Sequence, residues 1–400
     1  AENKTSNKDM EILMEKIYTG KITNTAYTQE MLAFFKDSDF EDRIPALLPK
    51  EATVYHKIGN GQGALTRRRG VRHLRARTAG RVIVRWGIGE LGGLLRELGI
   101  DRPLLVTTAR FADLELPVSA RFAGVQRHSS LEIVSAATAA AAGADGLVGL
   151  GGGSAIDTSK AVSAGTGLPL VAVPTTYAGA EWTPYFGMRD AKRRVKTGGS
   201  GANTVGVVYE PTLTLGLPRE ETVGTAMNAL AHCAEALYAG ECVDASLGAE
   251  LIVRWLPVVV ADGRSLEART GLLEGAMHAG RALAQRGLFL AHAMAQALGG
   301  RYGLSHGAMN AICLAPALRF NASAVPAAIV SFGRSLGTDD PATRVEELAR
   351  LGGFERLRDF AVPESVLQQL AADTAGRPGA RANPRPATAD DIEELLRSVW

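Results

Sequence analysis

The sequence predicts an α/β domain built on a mostly parallel sheet, followed by an all-α domain, and three observations carry that expectation. Strand-like and helix-like segments alternate from about residue 81 to residue 174. One strand-like run, Gly146 to Leu150, leads directly into Gly151-Gly152-Gly153. After about Leu213 the strand signals fade and helical patterns take over. Such alternation places helices on the faces of a parallel sheet, because parallel neighbours need a crossover connection.

Each element follows from local pattern. Val82-Ile83-Val84 is β-branched throughout and predicts a strand. Leu91 to Leu98 sets Leu91, Leu94, Leu95 and Leu98 on one face, which predicts a helix. Pro103 to Val106 reads as the next strand, and alanine-rich Leu131 to Ala142 as a helix. Gly146 to Leu150 is apolar without alternation, as in a strand buried on both faces. Ala155 to Ala164 reads as a helix, and Leu168 to Val173 as a strand closed by Pro174. Farther on, Thr225 to Ala239, Ala245 to Val260, Leu272 to Leu283, Ala291 to Leu298 and Asp391 to Trp400 read as helices. The expected division is 66–212 for the α/β domain and 213–400 for the helical domain. Residues 1–65 form an appended segment of unassigned structure, rich in lysine where the remainder is rich in arginine.

The chain has 400 residues, ample for two domains. A net charge of +2 gives no reason to expect nucleic acid or an anionic membrane as a partner. Arg67, Arg68, Arg69, Arg72, Arg75 and Arg77 do crowd together, and they read as a solvated linker rather than a polyanion site. Cys233, Cys242 and Cys313 form no CxxC pair, and an odd count suits a reducing compartment. No apolar run approaches the ~18–20 residues of a membrane span. The expectation is a soluble cytoplasmic protein.

Gly151-Gly152-Gly153-Ser154 lies between a strand and a helix, where backbone N–H groups attract an anion such as a pyrophosphate. The GxGxxG fingerprint is absent, and a plain tight turn is the competing reading. Pro174 to Glu181 also follows a strand. Its Thr175, Thr176 and Gly179 suit a ribose or an amide, or simply a capped turn. Asn228 and His232 share a helix face, His292 and Gln296 repeat that spacing, and His306 follows in a loop leading into another helix. Three converging imidazoles suit a divalent metal, while each one singly suits a packed core.

Together GGGSAIDTSK (151–160), PTTYAGAEWTP (174–184), Lys196-Thr197-Gly198, MNALAHCAEALY (227–238), the 291–307 run and NPRPAT (383–388) resemble maleylacetate reductases of the iron-containing alcohol dehydrogenase-like superfamily, over about residues 73–400. The resemblance implies a Rossmann-like domain of the dehydroquinate synthase-like type plus a helical domain, with NADH or NADPH in the cleft between them. It also implies homodimers and reduction of 2-maleylacetate, an unsaturated keto acid of aromatic degradation, to 3-oxoadipate. By the same resemblance Gly151, Gly152, Gly153 and Ser154 hold the pyrophosphate, while Asp157, Thr175, Thr176 and Tyr177 lie along the cofactor. His232, His292 and His306 serve catalysis. With Asn228 they occupy the positions that hold iron or zinc in metal-dependent relatives.

Three departures qualify the resemblance. Asn228 stands where metal-dependent relatives carry aspartate, and a neutral amide weakens divalent-ion binding. Gln296 stands where the family has histidine, so a proton donor of about 10²–10⁴-fold value is missing. Ala180 replaces a usual serine. A catalytically weakened or non-redox relative is therefore one alternative, and a metal-dependent alcohol dehydrogenase another. Arg189 and Lys196 are candidates for the substrate carboxylates. The turn Thr107-Thr108-Ala109-Arg110 leaves NADH against NADPH undecided. Residues 1–65 loosely resemble serine β-lactamases, with His56-Lys57-Ile58-Gly59 in the place of a KTG element. The chain contains no SxxK nucleophile motif, so a hydrolase activity is not expected from them.

Overall fold

The computed structural model describes residues 82–126, 129–190 and 195–400. The appended segment 1–65, the arginine cluster and His56-Lys57-Ile58-Gly59 lie outside the described residues.

The strands are β1 (Ile83–Trp86), β2 (Pro103–Thr107), β3 (Ala120–Phe122), β4 (Gly146–Gly151), β5 (Leu170–Pro174), β6 (Phe186–Asp190), β7 (Val195–Gly199) and β8 (Thr204–Tyr209). Six of them form a parallel sheet in the order β1-β8-β5-β4-β2-β3, with Leu105 opposite Val148 and Val148 opposite Val171. Every residue of β2, β4 and β5 is buried, as a sheet covered on both faces requires. The covering helices of this half are α1 (Leu91–Leu98), α2 (Leu131–Ala140) and α3 (Gly153–Thr166). Helix α1 buries Leu91, Leu94 and Leu95. Helix α2 starts where the Ser130 hydroxyl accepts the Ile133 N–H at 3.3 Å.

Strand β3, strand β8 and the antiparallel β6–β7 hairpin extend the strand content beyond what the pattern predicts. Gly206 interrupts the β-branched run of β8, and Gly198 and Gly199 dilute β7, so neither shows an unbroken strand signature.

The helical half comprises α4 (Arg219–Tyr238), α5 (Val243–Ala261), α6 (Leu266–Arg286), α7 (Leu290–Tyr302), α8 (His306–Asn321), α9 (Pro326–Leu336), α10 (Pro341–Arg350), α11 (Leu367–Ala375), α12 (Pro378–Arg381) and α13 (Ala389–Ser398). His306 is the first residue of α8 rather than part of the preceding loop. Helix α4 is buried almost continuously from Thr222 to Tyr238 and packs against α5, α6 and α8. One hydrophobic cluster joins Val223, Met227 and Leu230 of α4 to Ala172, Val207 and Tyr209 of the sheet. Both halves therefore share a core. Among the described residues no helix is long and apolar enough to cross a membrane.

Candidate active site

The sheet changes its direction of winding between β2 and β4, since β2 adds β3 on one side while β4 adds β5 and then β8 on the other. Ligand crevices of open α/β sheets lie outside the carboxyl ends of strands at such a switch point. The turn after β4 occupies that place. Gly151 has φ 142°, where a side chain is strained, and a Cβ on Gly152 would stand 2.9 Å from Thr176 Cγ2, so a larger residue there must displace Thr176. Helix α3 begins there without a side-chain cap, and nothing lies within 4 Å of where a Gly153 Cβ would be. The start of the helix, open on that side, suits an anion. These residues fit a dinucleotide pyrophosphate.

Neighbouring strands brace the turn. Thr107 Oγ1 donates to the Leu150 carbonyl at 2.8 Å, and the Thr175 N–H donates to the Gly151 carbonyl at 3.0 Å. Ser129 and Thr158 hydroxyls both donate to the Ser154 carbonyl, each at 2.8 Å. Asp157, expected along the cofactor, accepts the Gly187 N–H at 3.0 Å and pairs with Lys160 at 3.3 Å, which anchors the β6–β7 hairpin to α3. Buried Lys160 in turn donates to the Ala180 carbonyl at 2.7 Å.

Tyr177 is a correction. Its side chain has no exposed surface, and its hydroxyl accepts from Arg269 Nη1 at 3.0 Å. The ring belongs to the core between the loop, α4 and α6, so it cannot line a cofactor path. Thr176, partly exposed beside Gly152, can. Burial pushes the Glu181 carboxyl above the usual range, against the opposing pull of the Tyr209 hydroxyl, which donates to it at 2.7 Å, and of nearby Lys160.

The helical half brings Asn228, His232, His292 and His306 together. Asn228 Nδ2 donates to the Ala178 carbonyl at 3.0 Å, which ties the imidazole cluster to the loop after β5. Only three residues earlier in that loop, Thr175 holds the glycine turn. His232 and His292 stack with centroids 4.7 Å apart and planes at 12°, and His306 is tilted against His292 at 5.7 Å. His292 Nδ1 meets Glu235 Oε2 at 2.7 Å, and both residues are 0% exposed. His232 is 4% and Asn228 5% exposed, whereas His306 and Gln296 are half-buried. Burial, and after it the charge of His292, holds the His232 imidazole well below the usual histidine range, so its ring is neutral.

The donor set does not fit a divalent cation. Asn228 Oδ1 already accepts Asn310 Nδ2 at 2.8 Å, and the same Asn310 nitrogen faces His306 Nε2 at 3.1 Å. Asn228 Nδ2 faces His232 Nε2 at 3.4 Å. Amide N–H groups thus face Nε2 of His232 and of His306, two of the three imidazole nitrogens that a metal would need, and the first position offers no carboxylate. Among the described residues no group of three or more His, Cys, Asp and Glu side chains is arranged to hold a metal ion.

Glu235 and Asn310 escape the sequence pattern, although each carries a signal. Glu235 lies seven residues after Asn228 on α4, and Asn310 lies four after His306 on α8, so each shares a face with a site residue. Arg189 and Lys196 are directly opposed in the β6–β7 register.

Residues 80–208 match the family model for iron-containing alcohol dehydrogenase, and residues 222–400 match the C-terminal model of the same family. Residues 1–73 match a β-lactamase enzyme family model. The maleylacetate reductase of Pseudomonas knackmussii is 36% identical over 324 residues, covering 76% of this chain and 91% of that protein. That of Burkholderia cepacia is 34% identical over 336 residues, covering 79% and 94%. The crystal structure of maleylacetate reductase from Rhizobium sp. strain MTP-10005 superimposes with a TM-score of 0.74 at 29% identity, covering 81% of this chain and 97% of that one. An iron-containing alcohol dehydrogenase from Corynebacterium glutamicum gives 0.73 at 30% identity, covering 80% and 94%.

Proposed function

Because this chain belongs to the iron-containing alcohol dehydrogenase family, we propose that it is a reductase of maleylacetate type, converting 2-maleylacetate to 3-oxoadipate with NADH or NADPH. The observation that carries this reading is the short path from the glycine turn to the imidazoles: Gly151 to Thr175, and Ala178 to Asn228, by one hydrogen bond each. A dinucleotide held at one end by α3 is thereby brought within reach of the helical half.

When bound, the reduced nicotinamide supplies hydride. The remaining roles fall to this chain. Gly151, Gly152, Gly153 and Ser154 hold the pyrophosphate at the start of α3, with Thr175 and Thr176 beside them. His306, the most accessible of the three imidazoles, faces the oxygen on which negative charge gathers as hydride arrives. Asn228 and His232 present narrow surfaces to the same space, while His292 acts from behind them. Arg189 and Lys196, opposed in the hairpin, are the proposed partners of the substrate carboxylates. The 66–212 part serves the cofactor and the 213–400 part the substrate, and the enzyme works as a cytoplasmic homodimer.

Gln296 motivates a second reading, a relative of low redox turnover, since its partly exposed amide stands where a proton donor would serve. Purified protein with maleylacetate and each reduced cofactor separates the two by loss of nicotinamide absorbance. Turnover with either cofactor is expected, and none with both rejects the substrate assignment.

A further inference from the structure

We propose that Glu235 is a positioning residue for this reaction. Its carboxylate fixes the ring plane of His292 and, through Asn228 and Asn310, the orientation of His306. The proposal rests on the reductase reading above.

Glu235 projects from α4 with no exposed surface, and a carboxylate placed there needs donors on its oxygens. It has three: the Phe289 N–H at 2.8 Å, the His292 N–H at 3.2 Å and His292 Nδ1 at 2.7 Å. The two backbone donors belong to the N-cap residue and the first turn of α7, so the acid also faces the positive end of that helix. An acid that only capped α7 would need the backbone contacts and no more. The third contact reaches the imidazole. A carboxylate accepts and cannot donate, so the hydrogen lies on His292 Nδ1 and the ring cannot turn over.

His292 touches no ligand, because it has no accessible surface. Its influence runs sideways. Nε2 stands 3.3 Å from Asn228 Oδ1, and its face stacks on His232. Asn228 Oδ1 accepts Asn310 Nδ2, which in turn faces His306 Nε2. Glu235 thus forms the buried end of a row of polar contacts whose other end is the half-buried imidazole.

Three variants test this: Glu235→Gln, His292→Asn and the pair combined. Glu235→Gln is expected to lower kcat roughly 10- to 100-fold, with the cofactor KM unchanged. The double variant should be no slower than the slower single one, because the acid acts through the imidazole. Wild-type kcat in Glu235→Gln, or losses that multiply in the double variant, would overturn the proposal and leave Glu235 a helix cap. Proton NMR of the unliganded protein supplies a readout independent of substrate. A far-downfield imidazole signal should be present in wild type, and absent from both His292→Asn and Glu235→Gln; its survival in Glu235→Gln also overturns the proposal. If wild type turns over no substrate, the reductase reading falls while this signal still decides the Glu235–His292 contact. Should Glu235→Gln fail to fold, Glu235→Asp withdraws the carboxylate by one methylene. An upfield shift and an intermediate kcat are then expected, and unchanged values of both would refute the idea.

Discussion

Gln296 lies one helical turn after His292 on α7, half-buried and chemically unable to deliver a proton near neutral pH. Gln296→His should therefore raise kcat on maleylacetate by up to about 10²-fold, with little change in cofactor KM, as steady-state kinetics would show. An unchanged kcat would assign proton delivery to His306 instead. Glu181 makes a different prediction. Burial lifts its carboxyl pKa in the folded protein, so its favourable contribution is complete below the unfolded-state value and disappears as pH rises through the folded one. Glu181→Gln keeps an acceptor for Tyr209 and does not titrate. As pH rises above the ordinary carboxyl range, the urea midpoint of the variant should gain steadily on that of the wild type. At this scale the histidines and the glycine turn were legible, because residue type and spacing announce them. Tyr177, placed along the cofactor by resemblance, has its ring buried, since a motif match does not say which way a ring points. Glu235 acquires meaning only when α4 packs beside α7.

The turn between β4 and α3 shows how an element can be shaped by a neighbour. A methyl group on Gly152 would press on Thr176, in the loop after β5. Gly152→Ala should weaken NADH or NADPH binding about 10-fold, roughly 1.4 kcal/mol, in a fluorescence titration. The thermal midpoint should hardly move, because the hydroxyl-bearing side chain can swing aside. Most elements were readable from pattern alone: the apolar runs of β2, β4 and β5 and the leucine face of α1 need no tertiary information. Short β3 and helices α8 to α12 were not singled out by pattern either, and the remaining missed strands share a cause of their own. Strand β8 and the hairpin carry glycines that blur their periodicity, and they are defined by the partners beside them rather than by their own side chains.

For the molecule as a whole, a single core runs from the sheet through α4 into the helical half. The four tryptophans sample both parts, Trp86 and Trp182 on one side, Trp255 and Trp400 on the other. Denaturation followed by tryptophan fluorescence and by far-ultraviolet circular dichroism should give superimposable curves; separated midpoints would mean that the halves unfold independently. The union is closest where Gly179 of the cofactor loop meets α6, since a Cβ there would lie 3.1 Å from Gly280 Cα, and one on Gly280 would strike Trp182. Helix α6 contributes none of the imidazoles, yet it sets how far the loop stands from them. A methyl group gained at position 280 would widen that spacing, and a displacement of about 1 Å suffices to slow a reaction some hundredfold. Such damage would register as lost chemistry although its address is remote from every reacting atom.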